Sequence, residues 1–369
     1  MMEDRIISEI EAISSEMLQG IKKICQMPSV EKEAEEGAPF GTDIASTLES
    51  TLELARSLGF ETVNLDHYIG WAQYGSGKDY IGVIGHLDVV PVGTGWKHPP
   101  FSAYEENGYI YARGILDNKG PILSCLYALY ALKRLELPLK HPVRILFGCD
   151  EESGFEDLEY YLKHEKPPIM GWTPDCKYPV VYGERGRAVI EIEAPVQKID
   201  AFFAFVNQYF MNAKPTGDRL GLDYTDPEFG TNEMRNYHMV RRNDHLIFQV
   251  SFAYPAGMTL DQIMSTIQQK APEFRVRCVS HYAPVKFDKT HPMVKALQKA
   301  YETITHEDGT PVTTTGGTYA KRMPNIVPFG PSFPGQKGIG HQPNEWMKVD
   351  DLITNAKIYA LALYYLGNM

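Results

Sequence analysis

Residues 79–89 read DYIGVIGHLDV, an apolar run rich in Ile and Val that ends in Pro91, Gly93 and Gly95. Four to eight apolar residues bounded by turn formers predict a buried strand entering a loop. His86 stands at that strand's end, where α/β proteins gather ligands. Downstream, 119–135 is apolar on most faces and too long for a strand, which predicts a buried helix starting just after Asp117. Val143–Cys149 is the next buried strand, and Glu156–His164 a short helix. This alternation implies an α/β sheet with helices on its faces. An amphipathic helix is expected over Ile6–Met27, and further helices over Pro292–Thr305 and Asp350–Leu366.

From Arg187 the texture changes. Arg187–Ala194 alternates as a half-exposed strand does, His245–Ala253 reads as a strand, and Ile199–Met211 and Leu260–Ala271 read as helices. We expect an inserted α+β domain over 186–283, with 1–185 plus 284–369 forming the main mixed-sheet α/β domain.

The 369 residues carry 36 Lys plus Arg against 47 Asp plus Glu, a net charge of −11, and 43% are hydrophobic. A large core is therefore available, and a phosphate-neutralising nucleic-acid surface is not expected. The acidic start, MMEDRIISEIEAISSEM, does not read as a signal peptide. Ala201–Val206 and Ile358–Leu366, the most apolar stretches, fall short of the roughly 20 residues of a membrane span. Five dispersed cysteines favour reduced thiols. A cytoplasmic protein without membrane contact is the expectation, with monomer and homodimer both open.

His86, Asp117, Glu151 with Glu152, Asp175 and His341 fall at predicted strand ends or in the loops after them. Imidazole and carboxylate without thiolate suit zinc, manganese or cobalt in a hydrolytic site. Singly each has an ordinary structural reading; Asp117, for one, could cap the helix beside it.

The words around these residues are GHLDVVPVGTGW (85–96), YARGILDNKGP (111–121), CDEESG (149–154), TPDCKYP (173–179), GGTYA (316–320) and GHQPNEW (340–346). In this order they resemble the dinuclear zinc exopeptidases that include PepV-type dipeptidases, carboxypeptidase G, aminoacylase and succinyl-diaminopimelate desuccinylase, the PepV-type most of all. The resemblance implies a zinc-exopeptidase-like catalytic domain with an inserted lid, and two divalent ions, zinc before manganese or cobalt. It makes His86 and Asp175 ligands of one ion, Glu152 and His341 ligands of the other, and Asp117 the bridging carboxylate. Glu151 becomes the general base, Asp88 the partner that orients His86, and Asn118, Asn344 and Glu345 candidates for supporting hydrogen bonds. A cis peptide is implied at Asp117–Asn118.

Two departures stand out. The Gly-x-Ser-Ala-His word of the family's lid is missing, so the insert looks shortened, and Asn236 in MRNYHMV fits a lid asparagine. At GGTYAKRMPN (316–325) Lys321 occupies the place of a carboxylate-binding arginine, and Arg322 follows it. Arg322 is favoured because guanidinium grips a carboxylate bidentately; Gly316, Gly317 and Thr318 would add contacts to the same carboxylate. The implied reaction is hydrolysis of dipeptides or short peptides. The alternatives are hydrolysis of N-acyl or N-succinyl amino acids, and a catalytically weak peptide-binding protein that keeps the metal site.

Overall fold

The structure, a computed structural model, describes residues 2–369. By chain contacts it comprises two compact units. The larger contains the chain up to Val181, Asp288–Pro311 and Thr318–Met369; the smaller contains Tyr182–Phe287 and Val312–Gly317.

The larger unit is built on a six-stranded mixed sheet in the order Glu61–Leu65, Ile69–Tyr74, Val143–Gly148, Ile81–His86, Met170–Thr173, Ile326–Pro328. The first two strands run antiparallel to their neighbours, and the last four are mutually parallel. Ile81–His86 is buried along its whole length, as a central parallel strand covered on both faces must be. Lys119–Arg134 packs on it, buried at 13 of 16 positions. Met2–Cys25 and Val349–Gly367 pack against that helix and each other. Each buries an apolar stripe, as Ile6, Ile10, Ile13 and Met17 illustrate. Gly85 is dictated by close approach, since a Cβ there would lie 2.2 Å from Asn118 Oδ1.

A small antiparallel sheet joins distant parts of this unit: Trp346–Lys348 pairs with Tyr109–Tyr111, which pairs with Tyr104–Glu106. The segments following Tyr111 and preceding Trp346 are thereby held side by side.

The smaller unit is a four-stranded antiparallel sheet in the order Glu233–Arg242, His245–Tyr254, Gly186–Pro195, Arg275–Tyr282. Ala188, Ile190, Ile192, Phe248, Val250 and Phe252 form a core with Phe202, Phe205, Ile263 and Ile267 of the helices Ile199–Val206 and Leu260–Lys270. The first helix ends in one π turn, Asn207–Met211, where a single helix was expected. Gly186–Pro195 is more buried than its alternation predicts, because Glu191 lies beneath Arg277 and Arg242. No helix among the described residues is long and apolar enough to cross a membrane.

Candidate metal centre

The three parallel strands Ile81–His86, Val143–Gly148 and Met170–Thr173 deliver His86, the Glu151–Glu152 pair and Asp175 from their C-terminal ends. Asp117 enters at the foot of the Lys119–Arg134 helix, and the Asp117–Asn118 peptide that follows it is cis. His341 arrives on the loop before Trp346, with φ of 61°.

Six expected site residues thus gather in the larger unit. His86 Nε2 lies 3.1 Å from Asp117 Oδ1 and 3.8 Å from Asp175 Oδ2. His341 Nε2 lies 2.9 Å from Asp117 Oδ2 and 2.8 Å from Glu152 Oε1. Asp117 therefore faces both imidazoles, one with each oxygen. His86, Asp117 and Glu152, and likewise His86, Glu151 and Asp175, place ligand atoms within 4.8 Å of one another, close enough to hold a cation. A Cβ on Gly340 would come within 3.2 Å of Asp117 Oδ2, so the loop carrying His341 passes close against the Asp117 carboxylate.

The electrostatics match this crowding. Burial, joined by the charge of Asp175, pushes the Glu151 carboxyl well above its ordinary range. Asp175 is raised by burial and by Asp117. Burial also raises Glu152, against the hydrogen bond from His341. Burial alone would lower His86, but Asp88, Asp117 and Asp175 outweigh it and hold the imidazole well up. His341 is carried to about 10 by its bonds to Asp117 and Glu152. Carboxylates that raise one another and imidazoles drawn to anions form a donor set that divalent cations would relieve, and nitrogen plus oxygen donors suit zinc.

Asp88 does more than orient one ring. His86 Nδ1 donates to the Asp88 backbone carbonyl at 2.9 Å, with Asp88 Oδ1 at 3.4 Å. The Asp88 carboxylate also accepts from Glu151 N at 3.2 Å and Glu152 N at 3.0 Å, and so fixes the segment bearing both glutamates. Asn118 receives His86 N at 3.3 Å and donates to Pro174 O at 2.6 Å, linking the approaches to His86 and Asp175. Asn344 clamps its loop by accepting from Lys97 N at 2.7 Å and donating to Gly95 O at 3.1 Å.

Sequence reasoning passed over Asp157 and Tyr319. The buried Asp157 carboxylate accepts from Cys149 N at 2.7 Å, from Asp150 N at 3.1 Å and from the Tyr319 hydroxyl, tying the Glu151 segment to the GGTYA word. Burial lifts it to about 6. Position 319 within the quoted word was the one available signal.

The expected substrate contacts are divided. Asn236 lies in the smaller unit at a bulge of the Glu233–Arg242 strand, with φ of 56°, and Gly316 and Gly317 belong to the same unit. Thr318, Lys321 and Arg322 belong to the larger one. Thr318 Oγ1 accepts from Ala320 N at 3.1 Å and caps the Tyr319–Lys321 turn. Arg322 is exposed, with Nη2 4.0 Å from Glu159 Oε1.

A family model described as peptidase family M20/M25/M40 matches residues 82–365. The chain belongs to this peptidase family. The M20 chain is 30% identical to the protein named "Putative dipeptidase YtjP" from Bacillus subtilis (strain 168), over 462 aligned positions covering 97% of this chain and 99% of the relative. A similarly named protein of Staphylococcus aureus (strain COL) is 25% identical over 464 positions, covering 97% and 98%. Because this chain has only 369 residues, at least 93 of the 462 positions (462 less 369) have no counterpart in it. In fold, the M20 chain resembles human carnosine dipeptidase 1, with a TM-score of 0.79 at 15% identity, covering 100% of this chain and 99% of that one. It also resembles Bacillus subtilis YxeP, titled a dinuclear metal-binding peptidase of the M20 family, with a TM-score of 0.65 at 13% identity, covering 97% and 100%. The protein is thus a hydrolytic metallopeptidase of mixed α/β fold.

Proposed function

We propose that this M20 chain hydrolyses the amide bond of dipeptides or short peptides with a free C-terminus, using two divalent ions, zinc before manganese or cobalt. The observation that carries the reading is the convergence of two imidazoles and four carboxylates, with Asp117 facing both imidazoles. In it, His86, Asp175 and Asp117 would hold one ion, and Glu152, His341 and Asp117 the other. Bound there, the ions would supply Lewis-acid polarisation of the scissile carbonyl and a water acidified toward neutrality.

The chain's own groups do the rest. Glu151 sits among the predicted ligands and is not needed to complete either set; burial raises its carboxyl and the bound ions' charge would lower it, and in that balance it would take a proton from water and return it to the leaving amine. Asp88 holds His86 and the Glu151 backbone in register. The smaller unit would act as a lid that excludes water and offers Asn236 to the carbonyl, standing in for the missing histidine. Gly316, Gly317, Thr318 and either Lys321 or Arg322 would take the substrate carboxylate.

Metal analysis combined with turnover of a free dipeptide, an N-acetyl amino acid and an N-succinyl amino acid tests the reading. About two ions per chain and a rate with the dipeptide at least tenfold above the acyl substrates are expected. Faster turnover of an acyl substrate would make the protein an acyl-amino-acid hydrolase, and two ions without turnover would make it a binding protein.

A further inference from the structure

Arg113 and Glu345 form an ion pair within the larger unit, both about 1% exposed, with Nη1 2.7 Å from Oε2. Burying both charges is costly, so the pair needs a structural return. The other oxygen, Glu345 Oε1, accepts three backbone N–H groups: Gly114 at 3.0 Å, Leu116 at 2.9 Å and Asp117 at 3.1 Å. Burial, aided by Asp117, raises this carboxyl to about 7, while the Leu116 N–H and Arg113 pull it down. Arg113 also donates to Gln342 O at 3.3 Å, reaches the Pro91 and Val92 carbonyls at 3.5 Å, and lies over the Trp96 ring at 5.3 Å. A single buried pair therefore ties together the loop after His86, the segment ending at Asp117 and the loop of His341.

These three do not depend on it equally. His86 is held independently by Asp88 and by strand pairing. Asp117 keeps a second anchor through Asn118, which binds His86 N and Pro174 O. The His341 loop is half-exposed at its histidine; downstream it is held by the Asn344 clamp, by Ala112 N donating to Glu345 O at 3.1 Å and by the pairing of Trp346–Lys348, while the Arg113 bond to Gln342 and the Glu345 carboxylate run from it to the Asp117 segment. We infer that Arg113 and Glu345 are positioning residues that set the spacing between Asp117 and His341, and with it the affinity of the second of the two metal positions.

The inference rests on the two-ion reading above. Metal-free protein is titrated with Co²⁺, following its visible absorption and the bound metal, for the wild type, Glu345→Gln and the double variant R113M/E345Q; the double variant leaves no lone buried charge. His341→Ala identifies the binding event that involves His341. Both positioning variants are expected to take the first ion with wild-type affinity and the second at least tenfold more weakly, with an altered absorption band for the second event and unchanged near-ultraviolet circular dichroism. Unchanged second-ion binding, or equal weakening of both events, overturns the inference. If the double variant does not fold, Glu345→Gln alone decides, because its amide oxygen still accepts the three N–H groups while the bond to Arg113, and with it the tie to the His341 loop, is lost. A wild type that takes fewer than two ions removes the two-ion reading and this inference with it, whereas two ions bound equally by all three proteins removes only this inference.

Discussion

At the residue scale, Glu151 and Glu152 are adjacent and share Asp88 as a backbone anchor, yet the proposed roles differ. Glu151→Gln keeps the shape but cannot take a proton. It should lower kcat by at least about 10²-fold, the low end of what a positioned acid–base group contributes, with metal content retained. Glu152→Gln should instead lower bound metal, read by elemental analysis of the purified variants. Equal metal loss in both would reverse the assignment. The carboxylate contact is tested by Met in place of Lys321 and of Arg322, comparing a free dipeptide with its C-terminal amide. The responsible variant should lose at least tenfold in kcat/KM, about 1.4 kcal/mol, on the free dipeptide and little on the amide. Arg322 is exposed, with Nη2 4.0 Å from Glu159 Oε1, and Lys321 is half-buried beside it, so the comparison of the two variants decides between them. The clustered residues were legible because each sits in a short word at a strand end or in a loop, His86, Glu151, Glu152 and Asp175 just after parallel strands and Asp117 and His341 in connecting segments. Asp157, Tyr319 and Arg113 were not, because their partners are brought near by folding: Cys149 N for Asp157, the Asp157 carboxylate for Tyr319, and Glu345 and Gln342 O for Arg113.

At the element scale, long periodic segments were readable and short or exposed ones were not. Glu156–His164 and Pro292–Thr305 lie where expected, since each has a strong apolar stripe and clear ends. Thr42–Ser57, Glu61–Leu65 and Ile69–Tyr74 were not anticipated. Glu61–Leu65 is an edge strand without a buried residue, and Ile69–Tyr74 is covered along most of its length, so neither shows alternation. The edge strand Glu233–Arg242 is bulged at Asn236 and mostly exposed, which erases its period. In the smaller unit, Thr259 caps Leu260–Lys270 in a reciprocal box: its Oγ1 accepts from Gln262 N at 3.2 Å, and Gln262 Oε1 accepts from Thr259 N at 2.9 Å. Thr259→Ala should cost about 1 kcal/mol, read as a lower urea midpoint with an unchanged slope.

At the scale of the whole molecule, charge is divided unevenly. Residues 182–287 hold 12 Lys plus Arg and 12 Asp plus Glu, so the net −11 belongs entirely to the rest of the chain. That remainder includes every residue proposed to bind metal. Divalent ions would offset its self-repulsion as well as satisfy the site, and a ligand that binds only the folded state stabilises it by about 2.7 kcal/mol at a free concentration one hundred times Kd. For a unit of this size, 1 kcal/mol is worth roughly 2–4 °C, so chelation should lower its melting temperature by about 5–10 °C. Scanning calorimetry with zinc and with excess chelator reads the difference. If the two units unfold separately, only the transition of the larger one should move. His86→Ala should flatten the response, because its ring faces both Asp117 and Asp175. A thermogram unchanged by chelation would remove metal from the account of stability, and a shift confined to the smaller unit's transition would place the binding site outside the strand ends of the larger.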